Sequence, residues 1–104
     1  MEIRTVGIVG AGQMGAGITQ VMAAAGYNVL LTDTSDQALQ SAISKIDQNL
    51  ERQIDRDKIS AKAKFLAIKR ISTTQTLADL GQTDLIIEAA TKRETIKQAI
   101  FEDL

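Results

Sequence analysis

The sequence predicts an α/β protein, the opening portion of a doubly wound parallel sheet, and three observations carry that expectation. An apolar run, Val6, Ile8 and Val9, leads directly into Gly10-x-Gly12-x-x-Gly15. Behind the glycines a helical repeat begins at once with Ile18, Val21, Met22 and Ala25. A second apolar run, Asn28-Val29-Leu30-Leu31-Thr32, closes on Asp33, 21 residues beyond Gly12. Strand, glycine turn, helix and strand within about 30 residues make a βαβ unit.

In such a unit each glycine has a separate task. Gly10 permits the tight turn out of the strand, Gly12 lets backbone N–H groups approach a pyrophosphate, and Gly15 lets the helix pack closely on the strand. An anion placed there meets the positive end of the helix dipole. Asp33 adds a carboxylate that can accept hydrogen bonds from both adenosine ribose hydroxyls and would repel a 2′-phosphate, which favours NAD over NADP. The pattern therefore reads as a Rossmann dinucleotide grip with NAD as its cofactor. The plainer alternative is a glycine-rich turn that serves only close packing in some other α/β domain.

Composition narrows the function classes. At 104 residues the chain is one domain at most, with room for a core but small for a whole dehydrogenase. A net charge of −1 argues against nucleic acid or an anionic membrane as the main partner. With Tyr27, Phe65 and Phe101 as its aromatics, the chain has no stacking platform for single strands. Cysteine and histidine are both absent, which excludes disulfides, thiolate nucleophiles, imidazole bases and the common zinc sites from these residues. The lack of cysteine fits a reducing compartment, and neither a signal segment nor an 18-residue apolar span occurs, so a cytoplasmic location is expected.

Taken in order, strand 1 is expected over residues 3–9 and the first helix over 13–25, with Gly26 as its stop before strand 2 at 28–33. Ser35 or Asp36 would cap a long second helix on which Ala38, Leu39, Ala42, Ile43, Ile46, Leu50 and Ile54 recur at helical spacing. The charge-dense stretch from Arg52 to Lys64 should break that helix before a short one begins at Ser60, and its simplest reading is a solvated face. Residues 68–73 look like a third strand, and Leu77, Leu80 and Gly81 mark a turn. Asp84-Leu85-Ile86-Ile87-Glu88-Ala89-Ala90 reads as strand 4, buried on both faces. In the order 3-2-1-4 it lies beside strand 1, so its C-terminal end, Glu88 to Thr91, should line the cofactor crevice at the switch point. Residues 94–104 are expected to form a last amphipathic helix with Ile96, Ile100 and Leu104 on one face and no C-cap. The expectation is a truncated NAD-binding domain over 1–104, with a C-terminal substrate and dimerisation domain absent.

Two ordered motifs go beyond the generic fingerprint. Gly10-Ala11-Gly12-Gln13-Met14-Gly15-Ala16-Gly17-Ile18 with Ala24-Ala25-Gly26-Tyr27-Asn28-Val29 and Asp33 is the first; Asp84 to Ala90 with Lys97 and Ile100-Phe101 is the second. Together they resemble the NAD-binding domain of the L-3-hydroxyacyl-CoA dehydrogenases, nearest to the short-chain bacterial 3-hydroxybutyryl-CoA dehydrogenases, over essentially the whole chain. The resemblance implies reversible oxidation of a (3S)-3-hydroxyacyl-CoA to the 3-ketoacyl-CoA, with the catalytic His, its Glu partner and the orienting Ser and Asn all downstream of these residues. It implies a phosphate loop of Gly10, Gly12, Gln13, Met14 and Gly15, a ribose contact at Asp33, a wall from the Ala89 backbone, and a cofactor contact from Lys97. On the residues alone, Lys97 is as well read as a surface lysine.

The sequence departs from the family at three places. Lys92 stands where a Glu is usual near the cofactor, leaving it to touch a cofactor phosphate or to turn to solvent. In the charged bend, where relatives often read Lys-Lys-Gly-Lys and contact CoA, Arg56-Asp57-Lys58 occurs, and one helical stretch earlier Asn49 stands where a Ser is usual. Arg56 keeps a cation for the CoA phosphates, whereas Asp57 in place of Gly removes backbone freedom. The expected function is thus the cofactor half of a 3-hydroxyacyl-CoA dehydrogenase, inactive alone, prone to self-associate through its open sheet edge, and homo-oligomeric when complete. The alternatives are another NAD-dependent 3-hydroxyacid dehydrogenase of the same fold, or a non-catalytic NAD-binding module.

Overall fold

A computed structural model describes residues 2–89. The elements run β1 (Thr5–Val9), α1 (Gln13–Ala24), β2 (Asn28–Thr32), α2 (Asp36–Asp55), α3 (Ala61–Lys69), β3 (Ile71–Thr74), a 3-10 segment (Leu77–Gln82) and β4 (Leu85–Glu88). All strand pairs are parallel and the sheet order is β3-β2-β1-β4, as expected for the first half of a Rossmann sheet.

Period-two patterning decides which side of the sheet the helices cover. In register, Val6 lies beside Val29 and Leu85, and Ile8 beside Leu31 and Ile87. Val6, Ile8, Val29 and Leu31 are buried in one cluster with Ala16 and Ala23 of α1 and Leu39, Ala42, Ile46 and Leu50 of α2. Small residues on α1 and larger ones on α2 let the first helix approach the sheet while the second fills the remaining space. Each large aliphatic side chain withdrawn from water in this way contributes about 1.5–3 kcal/mol. On the opposite face, alternation places Gly7 and Ile86 side by side. A Cβ on Gly7 would lie 2.7 Å from Leu80 Cδ2, so the absent side chain is what admits the buried Leu80 of the 3-10 segment.

Local chemistry sets the helix ends. Ser35 and Ser60 cap α2 and α3, their hydroxyl oxygens accepting from the N–H groups of Ala38 and Ala63 at 3.1 and 3.0 Å. The helix α1 closes as expected at Gly26, in a left-handed turn with φ +105°, whose N–H donates to Ala23 O while Tyr27 N–H donates to Met22 O. Helix α2 closes with the same pair of bonds, from Asp57 N–H to Ile54 O and from Lys58 N–H to Gln53 O. There, however, the left-handed position is held by Asp57 at φ 57°.

Four expectations are corrected. Residues 68–73 are not one strand: Ile68 and Lys69 finish α3, Arg70 is its C-cap, and β3 occupies Ile71–Thr74. The Arg70 guanidinium donates to Ala23 O at 2.9 Å, which ties the α3–β3 junction to the last turn of α1. The turn around Leu77 to Gly81 is a 3-10 segment of six residues. Strand 4 is shorter than residues 84–90, and Ile86 is buried while Leu85, Ile87 and Glu88 are half-buried. The charged stretch is not wholly a solvated face either. Lys64 is mostly covered and bridges α3 to Asp47 and Glu51 of α2 at 3.0 and 2.7 Å. The expected helix over residues 94–104 lies outside the described residues.

Candidate functional site

The C-terminal ends of β1, β2 and β4 meet the start of α1, and the glycine turn sits at their junction. Gly10 leaves β1 with φ +104°, a conformation side chains rarely adopt, and its N–H donates to Thr32 O at 2.8 Å. A Cβ on Gly15 would overlap the Gly10 carbonyl oxygen, so the helix can sit this close to the turn only with glycine there. Gly12 behaves differently. It is the N-cap of α1 in extended conformation, and a Cβ built on it meets nothing within 4 Å. The fold therefore does not need glycine at 12, and its bare backbone leaves an open approach to the helix end.

That helix end is suited to an anion. The first turn of α1 carries no acidic residue and its N-cap has no side-chain hydrogen bond, whereas α2 and α3 are capped by serines. The first intrahelical bond runs from Ala16 N–H to Gly12 O, so the N–H groups ahead of it, at Gln13, Met14 and Gly15, precede the helical ladder. Gln13 is exposed at the rim, and Met14 packs partly against the core.

Asp33 stands at the end of β2, directly beside the turn. Its Oδ2 accepts from Ala11 N–H and its Oδ1 from Ser35 N–H, both at 2.9 Å. The Ala11 and Ser35 bonds hold its carboxyl below the usual carboxylate range, against the opposing effect of partial burial. A cavity of about 210 Å3 opens next to the carboxylate, lined by Val9, Gly10, Thr32, Asp33, Thr34, Gln75 and Leu77. Gln75 reaches across to donate to Thr34 O at 2.9 Å, and Leu77 is 50% exposed. Sequence reasoning missed Gln75 and Leu77, which β3 and the 3-10 segment bring to the site from far along the chain, and Thr34, which follows Asp33 directly but belongs to no motif. Ala89 follows β4 beside the turn, its N–H donating to Val9 O at 2.7 Å, and it is buried.

The two candidate CoA contacts lie elsewhere. Asn49 is half-buried on α2, donating to Gln20 Oε1 of α1 at 3.1 Å and accepting from Arg52. Arg56 is exposed at the C-cap of α2, two turns further on. A groove of about 230 Å3 along the α1–α2 seam, lined by Gly12, Gln13, Ser41 and Lys45 among others, separates Asn49 from the glycine turn. Lys92 and Lys97 lie outside the described residues. Among the described residues no cluster of His, Cys, Asp or Glu could hold a metal ion, and no helix is long and apolar enough to cross a membrane.

The sequence and the fold both match known proteins. Residues 5–104 match the family described as 3-hydroxyacyl-CoA dehydrogenase, NAD binding domain. The chain is 43% identical over 102 residues to a 3-hydroxybutyryl-CoA dehydrogenase of Bradyrhizobium diazoefficiens, covering 98% of this chain and 35% of that protein. The crystal structure of (S)-3-hydroxybutyryl-CoA dehydrogenase from Ralstonia eutropha superimposes with a TM-score of 0.85 at 45% identity, over 88% of this chain and 32% of that one. That of the Escherichia coli 3-hydroxybutyryl-CoA dehydrogenase gives the same TM-score at 39% identity, over 89% and 20%. The chain thus spans about a third or less of the proteins it matches, and it belongs to the family of NAD binding domains of 3-hydroxyacyl-CoA dehydrogenases.

Proposed function

We propose that this NAD binding domain is the cofactor half of a dehydrogenase that interconverts a (3S)-3-hydroxyacyl-CoA, 3-hydroxybutyryl-CoA first, and the 3-ketoacyl-CoA. One observation carries the reading: an uncapped helix end with a bare backbone at Gly12 lies beside a carboxylate, Asp33, that lines a cavity of about 210 Å3. The cofactor's diphosphate takes the first-turn N–H groups of α1, at Gln13 and Met14, where the helix dipole favours negative charge. Adenosine enters the cavity between Asp33 and Leu77, and the carboxylate receives the ribose hydroxyls and rejects a 2′-phosphate. Val9 and Ala89 then direct the other half of the dinucleotide along the crevice between β1 and β4, and Lys97 is the further cofactor contact that the resemblance implies.

Bound NAD supplies a hydride acceptor. This chain's residues bind and orient it, and without a histidine or cysteine they do not offer the base that takes the hydroxyl proton. That base, the substrate pocket and the contacts that make the complete enzyme a homo-oligomer belong to a further domain. Arg56 and Asn49 stand on the outer part of α2, where Arg56 offers a cation to CoA phosphates, and the enzyme works in the cytoplasm. The similarity to 3-hydroxybutyryl-CoA dehydrogenases supports the choice of acyl-CoA.

Calorimetry tests this. Saturable binding of NAD, at least about tenfold tighter than NADP, is expected from one carboxylate facing a 2′-phosphate. No NADH should form when the chain alone is given NAD and 3-hydroxybutyryl-CoA. Equal affinity for the two cofactors would contradict the role of Asp33, and turnover by the chain alone would contradict the division of labour.

A further inference from the structure

We propose that Asp33 is also a positioning residue for the phosphate loop, holding the glycine turn in its binding shape through the Ala11 N–H before any nucleotide arrives. The inference rests on the cofactor reading above and adds a second task to a side chain otherwise assigned to the ribose.

Two consecutive N–H groups of the turn are anchored at the end of β2. Gly10 N–H donates to Thr32 O at 2.8 Å, and Ala11 N–H to Asp33 Oδ2 at 2.9 Å. Ala11 is only 5% exposed, so its N–H has little access to water if the carboxylate is removed. The other carboxylate oxygen is fixed as well, since Oδ1 accepts from Ser35 N–H at 2.9 Å and Ser35 itself caps α2 through Ala38. Asp33 is thus clamped to the start of α2 on one side and clamps the turn on the other. Each carboxylate oxygen retains a second lone pair, so the ribose hydroxyls can be received without releasing either backbone donor.

The position of the turn matters because Gly15 lies against the Gly10 carbonyl with no room to spare. A turn that drifts disturbs the first turn of α1, and the N–H groups there are the ones offered to the diphosphate. Ala11 N–H is committed to Asp33 and does not serve as a phosphate donor. Substitutions at 33 intended to relax the preference for NAD over NADP will therefore weaken both cofactors.

Binding of ADP and of 2′,3′-dideoxy-ADP to the whole chain separates the two roles, because the second ligand has no ribose hydroxyl for Asp33 to receive. Removing a negative charge beside a diphosphate favours binding by itself. If Asp33 serves only the ribose, Asp33→Ala binds dideoxy-ADP as tightly as the wild type or more tightly. The positioning role predicts binding about tenfold weaker, the usual scale for losing one charge-assisted hydrogen bond. Failure of the wild type to bind ADP would overturn the cofactor reading and this inference with it. Normal ADP binding with undiminished dideoxy-ADP binding by Asp33→Ala would overturn the inference alone. A measurement on the wild type covers a variant that fails to fold: the Ala11 amide resonance should shift on acidification with the same midpoint as the Asp33 carboxyl carbon. An Ala11 amide that ignores that titration would refute the hydrogen bond in solution, and the proposal with it.

Discussion

Replacing Gly15 by alanine and Gly12 by valine should separate the fold from its binding function, because the two glycines are glycine for different reasons. A methyl group at 15 overlaps the Gly10 carbonyl oxygen, a backbone atom that cannot swing aside. Alanine gains about 1 kcal/mol of helix propensity over glycine, but overpacking against fixed backbone costs about 3 kcal/mol. The net loss of about 2 kcal/mol lowers Tm by about 8–16 °C in a domain of this size. A Cβ at 12 meets nothing within 4 Å, so valine there loses chiefly the small N-cap advantage of glycine, about 0.5–1 kcal/mol. Its Tm should fall by no more than about 8 °C. The side chain does, however, stand in the approach to the α1 N–H groups. Loss of two charge-assisted hydrogen bonds, at about 1.5 kcal/mol each as a lower figure, weakens NAD binding by about a hundredfold or more. Thermal melts followed by circular dichroism and NAD titration of each variant supply both numbers. An unchanged melt for Gly15→Ala, or wild-type NAD affinity in Gly12→Val, would refute the reasoning.

Further consequences follow from the helix end at Asp57 and from the carboxylate at Asp84. Asp57→Gly should raise Tm by about 2–8 °C, since relief of a left-handed L-residue, about 1.5 kcal/mol, outweighs the added chain entropy of glycine, about 0.5–1 kcal/mol. A variant that melts no higher than the wild type would show that Asp57 occupies the turn without strain. The carboxylate of Asp84 receives the N–H groups of Arg4 and Thr5 at 2.9 and 3.0 Å, which tie the strand entrance of β1 to β4 and lower its pKa. Because the folded pKa is depressed, the stabilisation is complete above the ordinary value of 3.8 and disappears as pH falls through the folded one. Asp84→Asn should therefore melt below the wild type at pH 7 and converge with it in acid; a deficit independent of pH would mean that charge is not involved.

Much of this architecture was legible because local rules and tertiary demands agree. Ser35, Ser60 and Gly26 each mark a helix end by chemistry confined to a few residues, and each marks it correctly. The apolar runs around Val6 and Ile8 and around Val29 and Leu31 announce two strands, whereas the face that the helices bury emerges only in the packed fold. The junction at residues 68–71 was misread because β-branched Ile68 and Ile71 around two cations imitate a strand. What settles it is the hydrogen bond from Arg70 to Ala23, 47 residues away, which no local pattern announces. The same holds for the cavity. Asp33 was visible by its spacing from the glycines, but Gln75 joins it only by reaching Thr34 across 41 residues. Leu77 gives one signal after the fact, as a large aliphatic residue half open to solvent at the cavity mouth.

Amide NMR of the chain during NAD titration tests the central claim most directly, because the fold has a larger cleft elsewhere. That cleft, of about 480 Å3, is lined by Thr5, Asn28, Arg70 and Ser72 among others. The account predicts saturable shifts at Gly12, Gln13, Met14, Thr34, Gln75, Leu77 and Ala89, with Asn28 and Ser72 undisturbed. Shifts centred on Arg70 and Ser72, with the glycine turn unmoved, would contradict it.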